Sequence, residues 1–292
     1  MGDDGRATYH QGNTVTATAS GATAALPDVP TSTPALVACD LGGTLVRSGR
    51  RATPAVVDAL AAVRAAGHHL AIATGRSLSV AVQMVRLLGI RDGWVVAANG
   101  AVTARLDGNG YSVVQVTPVE AEPVVRLVSK IRPDLRLAAE VVGTGYRVTK
   151  RFPDGQLGGH QEVLQRVGDI WARPTPRLVV HGQWAQRLTP ALRESGVTAF
   201  PTRVDWVDVT APGVSKATAL ESIRAELGVV PSRTVAIGDG ENDLELLSWA
   251  GMSFAMGHAP DAVRAVAHQI TSSVERDGAA SALHDALLLP AA

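Results

Sequence analysis

The chain reads as an α/β protein, a parallel sheet flanked by helices with a second, α+β unit inserted into it. Three observations carry that reading. From Ala35 onward, short apolar runs alternate with stretches of helical periodicity, as expected when strands are joined by helical crossovers. Two of the apolar runs, Pro34-Ala35-Leu36-Val37-Ala38-Cys39 and Thr234-Val235-Ala236-Ile237-Gly238, each deliver an aspartate, Asp40 and Asp239, to a glycine turn. Between them the pattern changes to half-exposed strands separated by helical stretches.

Taken in order, the run before Asp40 is the first strand. Thr53-Pro54 supplies an N-cap and first-turn proline; Val56, Leu60 and Val63 mark the face of the helix that follows, and Gly67 stops it. A strand over 69–73 ends in Thr74-Gly75-Arg76-Ser77. Ser77 is placed to cap a helix with Val80, Met84 and Leu87 on its inner face, stopped by Gly89. A third strand over 94–98 ends at Asn99-Gly100. In the middle, strands are expected over 111–116, 145–149 and 178–181, and helices over 123–131 and 161–167. The sheet pattern resumes with a helix over 215–227 carrying Lys216, Leu220, Ile223 and Leu227 along one side. A strand over 234–237, a helix over 243–249, a strand over 252–255 and a helix over 260–267 follow. The expected organisation is a disordered tail over 1–34, a discontinuous core over 35–102 and 206–292, and an inserted domain over 103–205.

With 292 residues, 46% of them hydrophobic, the chain can bury a full core. Its 27 basic residues balance 27 acidic ones, so it lacks the basic field that nucleic-acid binding needs, and nucleic acid is not an expected partner. No apolar run approaches the roughly 20 residues of a membrane span. The first 33 residues are small and polar, without the charged start and apolar stretch of a secretory signal; no membrane association and a cytoplasmic location are expected. The insertion carries 14 Lys or Arg against 10 Asp or Glu, an excess that would suit an anionic small molecule and that a solvated surface explains equally well. Oligomeric state is not legible. Cys39, the single cysteine, reads as a small buried hydrophobe.

Two strand ends in one parallel sheet, each tipped with an acid beside glycine, make a site for a divalent metal: hard cations take oxygen ligands, and carboxylates at adjacent strand ends supply them. Lys216 stands in the first turn of its helix, where a cation opposes the macrodipole. It is one of only three lysines in an arginine-rich chain, so a compact ammonium has been kept there.

Together, Asp40-Leu41-Gly42-Gly43-Thr44-Leu45, Thr74-Gly75-Arg76, Gly213-Val214-Ser215-Lys216 and Gly238-Asp239-Gly240-Glu241-Asn242-Asp243 resemble the four ordered motifs of the haloacid dehalogenase (HAD) superfamily. The segments from Ala250 to Ala259 and Asp277-Gly278-Ala279-Ala280 look like the C-terminal signatures of its Cof-type branch. The resemblance covers Ala35 to about residue 287, with the insertion matched by position and size. It implies a Rossmann-like core with a C2-type cap, and a Mg²⁺-dependent phosphohydrolase acting on a small phosphorylated metabolite. By the same resemblance Asp40 is the nucleophile that forms an aspartyl-phosphate, and Asp40, Asp239 and the Gly42 backbone carbonyl bind the metal. Asp243 is a partner at one remove, Thr74 offers a hydroxyl and backbone amide to the phosphoryl oxygens, and Lys216 completes the site. Gly43, Thr44, Gly75, Arg76, Asn99 and Asn242 lie on the substrate side.

Position 42 departs from the pattern. The family has an aspartate there, which protonates the leaving alkoxide and then deprotonates the hydrolytic water, and glycine can do neither. General acid or base catalysis is worth roughly 10² to 10⁴ in rate. Four accounts are open: a working phosphatase whose acid comes from substrate, water or a cap residue such as Asp154 or Glu140; a degenerate fold that binds a phosphorylated ligand as a sensor or partner module; a non-hydrolytic reaction on the same scaffold; or a substitution introduced to trap a complex. Other motifs are set aside. Gly238-Asp239-Gly240 lacks the third glycine of a dinucleotide fingerprint, His68-His69 has no further ligand at zinc spacing, Ser215 reads as a helix cap, and the tryptophans read as packing residues.

Overall fold

The computed structural model describes residues 33–47 and 49–287, so the expected tail lies outside the described residues up to residue 32. The chain opens with β1 (Leu36–Asp40), α1 (Pro54–Ala65), β2 (His69–Ala73), α2 (Leu78–Leu87), β3 (Asp92–Ala97), β4 (Val102–Asp107) and β5 (Gly110–Val116). It continues through α3 (Ala121–Ile131), β6 (Arg136–Val141), β7 (Gly145–Val148), β8 (His160–Val163), β9 (Leu178–His181), α4 (Thr189–Glu194), β10 (Thr198–Arg203) and β11 (Trp206–Thr210). It closes with α5 (Lys216–Glu226), β12 (Thr234–Gly238), α6 (Leu244–Trp249), β13 (Met252–Ala255), α7 (Asp261–Val266), β14 (Gln269–Ile270) and α8 (Gly278–Leu287).

The larger sheet has the order β14-β13-β12-β1-β2-β3-β4-β5, parallel from β14 through β3. Successive strand residues face opposite layers. Val37, Cys39, Leu70, Ile72, Val235 and Ile237 pack under α1, α2 and α8, whereas Leu36, Ala38, Ala71, Ala73 and Ala236 pack under α5, α6 and α7. The alanines on this second face let its helices lie close to the sheet. Thr53 caps α1, its hydroxyl accepting from the Val56 amide, and Ser215 caps α5 in a reciprocal box with Thr218. The smaller sheet, β10-β11-β9-β6-β7-β8, is antiparallel except between β7 and β8. α3 and α4 cover one of its faces through Val124, Val125, Val128 and Leu192.

The structure corrects the sequence reading at four places. The sheets change over later than 103 and 206: β4 and β5 extend the larger sheet as an antiparallel hairpin on β3, and β11 pairs with β9 and β10 in the smaller one. Where a helix is expected over 161–167, residues up to Val163 belong to the edge strand β8 and the chain after them is irregular, because pairing with β7 satisfies backbone groups that a short helix would leave open. On α2 the inner face is Leu78, Ala81, Val82 and Val85, and Leu87 is 67% exposed. That helix is apolar on most sides, so its period does not choose a face. Ser77 occupies the N-cap position without a capping bond to the helix backbone; its hydroxyl instead lies 3.4 Å from that of Ser79.

Candidate active site

Asp40 is the last residue of β1, and Asp239 follows the last residue of β12. The two strands are parallel neighbours with Cys39 opposite Ile237, so both acids emerge at the same carboxyl edge. Asp243 closes the loop after β12: its Oδ2 accepts from the amides of Asp239 (3.0 Å) and Gly240 (2.9 Å). Carboxylate oxygens of Asp40, Asp239 and Asp243 lie within 4.8 Å of one another. Between them stands Lys216, fully buried at the first position of α5, whose Nζ donates to Asp40 Oδ1 at 2.5 Å and to Asp243 Oδ1 at 2.6 Å. Thr44 donates to Asp239 Oδ1 at 2.9 Å, and His258 Nε2 lies 3.5 Å from Asp239 Oδ2.

Burial drives the electrostatics. Desolvation pushes Asp40 up to about 7 against the pull of Lys216, with Asp243 and Asp239 adding repulsion; burial and Asp243 raise Asp239 to about 6. For Lys216 burial works downward, but Asp243 and Asp40 outweigh it and hold the ammonium above its ordinary value. Three crowded carboxylates share one cation, which leaves an excess of negative charge in a buried place. A hard divalent ion with oxygen ligands fits that donor set.

In the metal-free protein, carboxylates with raised values contribute stability that is full below their unfolded range near 4 and is lost as pH rises through about 6 to 7. A bound cation reverses that loss, and it must displace protons from these groups at low pH. Saturating Mg²⁺ is therefore expected to raise Tm more at pH 8 than at pH 5. Equal shifts at both values in a thermal melt would contradict this assignment of ligands.

The remaining predicted residues line the same edge. Thr74 is buried after β2, but its amide is committed to the Val96 carbonyl at 2.8 Å because sheet pairing runs one residue past the strand; the hydroxyl accepts from the Arg76 amide at 3.3 Å. Asn99 sits in a left-handed conformation (φ 54°) after β3, accepting from Asn242 Nδ2 at 2.8 Å and donating to Asp208 at 3.3 Å. Gly43, at φ +92°, has no room for a side chain, since a Cβ would press into the Asp239 carboxylate. Gly42 is exposed.

A second ionic cluster joins the smaller sheet to this edge, and nothing in the sequence marks it. Arg177, just before β9, is buried and pairs with Glu140 (2.7 Å) and Asp208 (3.2 Å), bonds the Tyr146 hydroxyl at 2.6 Å and donates to the Gly75 carbonyl. Burial raises Glu140 with Arg177 opposing, and Arg177 itself stays above its ordinary range because Glu140, Tyr146 and Asp208 outweigh its desolvation. Glu140 is thus held by a guanidinium, while Asp154 is exposed in a turn. Cys39 is buried, and buried His68 accepts the Ala35 amide on Nδ1.

A family model described as haloacid dehalogenase-like hydrolase matches residues 37–147 and 182–283. The chain belongs to that family, and the Cof-type resemblance of its motifs stands with it. It is 33% identical over 250 residues to a phosphoglycolate phosphatase of Natronomonas pharaonis, covering 85% of this chain and 95% of that one. It is 25% identical over 277 residues to a pyridoxal phosphate phosphatase of Escherichia coli, covering 87% and 98%. A solved phosphatase of the haloalkanoate (HAD) superfamily from Bacteroides thetaiotaomicron superposes with a TM-score of 0.74 at 25% identity, covering 91% of this chain and all of the other. A subclass IIB sugar phosphatase shares the fold with a TM-score of 0.72 at 21% identity over 87% and 99%. Among the described residues no helix is long and apolar enough to cross a membrane.

Proposed function

We propose that this HAD-type phosphatase, which acts on small phosphorylated metabolites, hydrolyses a phosphate monoester by way of an aspartyl-phosphate on Asp40. The observation that carries the reading is the convergence of Asp40, Asp239, Asp243 and Lys216 on one sheet edge. Asp40, Asp239 and the Gly42 carbonyl would hold Mg²⁺, with Asp243 bracing the loop. The metal's contribution when bound is to screen the repulsion between a carboxylate and a phosphoryl group. Lys216 keeps Asp40 oriented, Thr74 offers its hydroxyl to a phosphoryl oxygen, and Gly43 and Thr44 shape the turn beneath it. Gly75, Arg76, Asn99 and Asn242 border the space above, where the substrate would lie against the inserted region. The phosphoglycolate and pyridoxal phosphate phosphatases among the relatives support a small phosphorylated substrate and do not single one out. The balanced charge supports a protein without nucleic-acid partners.

Gly42 favours one other reading, a protein that binds the phosphorylated ligand without turning it over. A panel of natural monoesters, assayed beside p-nitrophenyl phosphate, separates the two. Gly42→Asp is expected to raise turnover at least about tenfold, a fraction of what a positioned acid and base contributes. Both forms inert, yet binding Mg²⁺ and a phosphorylated ligand by calorimetry, is the result that selects the binding protein.

A further inference from the structure

The two glycines of the first turn are glycines for different reasons. Gly43 is required by its backbone and by the Asp239 carboxylate beside it, whereas the φ of Gly42 lies outside the left-handed region. A Cβ at residue 42 would meet a single atom within 4 Å, Arg76 Nη2 at 3.6 Å, which is ordinary van der Waals contact. Neither conformation nor space therefore forbids an acid there. What changes with glycine is the chemistry at the mouth of the site: the side chain nearest to that position is an exposed guanidinium. Arginine does not give up its proton in proteins, so Arg76 can offer N–H groups and positive charge to an oxygen but cannot protonate it. Among the described residues no other side chain comes within 4 Å of a Cβ built there; Glu140 and the Tyr146 hydroxyl are engaged with Arg177, and His258, which accepts the Val274 amide on Nδ1, faces Asp239 with Nε2.

Resting on the phosphatase reading above, we propose that this site selects phosphorylated compounds whose leaving oxygen departs as a stable anion, namely aryl, enol and acyl phosphates, and that Arg76 donates to that oxygen as it gains charge. In the first step an Asp40 carboxylate oxygen bonds to phosphorus and the bond from phosphorus to the leaving oxygen breaks. The electron pair stays on that oxygen, which leaves as phenolate, enolate or carboxylate and needs no proton. In the second step water bonds to phosphorus, the aspartyl oxygen takes back its electron pair, and the water's proton passes to a phosphoryl oxygen, giving dihydrogen phosphate. An alkyl phosphate must expel a strongly basic alkoxide, and there the missing acid costs its full roughly 10² to 10⁴ in rate; a leaving group with a pKa near or below about 7 loses little, and a simple phenol, near about 10, falls between.

The test is kcat/KM for the full-length protein with Mg²⁺ across substituted phenyl phosphates, acetyl phosphate and phosphoenolpyruvate, with phosphoglycolate and glycerol phosphate as alkyl members. We expect p-nitrophenyl phosphate to exceed phosphoglycolate by at least about 100-fold. Gly42→Asp should shrink that ratio at least tenfold, chiefly by raising the alkyl substrates. Arg76→Ala should steepen the dependence on leaving-group pKa, with Arg76→Lys restoring part of it; thermal melts verify that each variant is folded. Comparable rates for alkyl and aryl substrates overturn the selectivity and leave the phosphatase reading intact. An unchanged dependence in Arg76→Ala overturns the role of Arg76. No turnover of any substrate and no phosphoryl group on Asp40 by mass spectrometry overturn the phosphatase reading itself.

Discussion

Asp40→Asn is expected to abolish turnover and the covalent phosphoryl-enzyme together, by roughly 10⁴-fold or more, the scale lost when a nucleophile that acts as part of a unit is removed. The amide keeps the shape of the carboxylate and can still accept from Lys216, so loss of activity cannot be blamed on a collapsed site. Removing a buried charge whose ionisation is already disfavoured should also leave the metal-free protein at least as stable near pH 8 as the parent. The informative experiment measures both properties on one preparation: burst kinetics or mass spectrometry for the phosphoryl group, and a thermal melt for the fold. Retention of more than about one per cent of the parent's turnover would place the attack on another group or on water directly.

The second large effect lies away from the carboxylate cluster. Arg177→Met removes the one cation in a buried group with Glu140 and Asp208 and takes away the donor to the Gly75 carbonyl. Breaking a buried pair from one side typically costs about 3 to 5 kcal/mol, because the surviving acid is left without compensation. The sign of its pH dependence follows from Glu140, whose carboxyl is already above its ordinary range. In the variant the penalty is greatest where Glu140 must ionise and shrinks as pH falls and it takes up a proton. Urea denaturation at pH 8 and pH 5 should show the deficit narrowing at the lower value. The double change Arg177→Met with Glu140→Gln should be less damaging at pH 8 than the single one. A deficit independent of pH would mean that packing, not uncompensated charge, sets the loss.

The parallel sheet was legible because its strands are buried on both faces and so read as continuous apolar runs, Leu36 to Cys39 and Thr234 to Ile237, that stop at acids. Its helices were legible where a cap and a stop bracket a clear stripe, as in α1 and α5. The stripe of α2 failed for lack of a polar side, and β8 failed because an edge strand takes its conformation from a neighbour and not from its own residues. The site divides in the same way. Asp40, Asp239 and Lys216 stand beside strand ends and a helix start, positions that local sequence marks. Arg177, Glu140, Tyr146 and Asp208 meet only through the pairing of β6, β7, β9 and β11, and register across strands distant in sequence leaves no local trace. The commitment of the Thr74 amide to Val96 was hidden for the same reason.

The bond between Lys216 and Asp40 spans 176 residues, and β12, which supplies the second acid, takes the place beside β1 in the middle of the larger sheet. During synthesis the growing polypeptide must therefore hold one flank of β1 open until β12 has left the ribosome. The strand that carries Asp40 waits unpaired on that side, and no nascent fragment that stops short of β12 can assemble the carboxylate cluster.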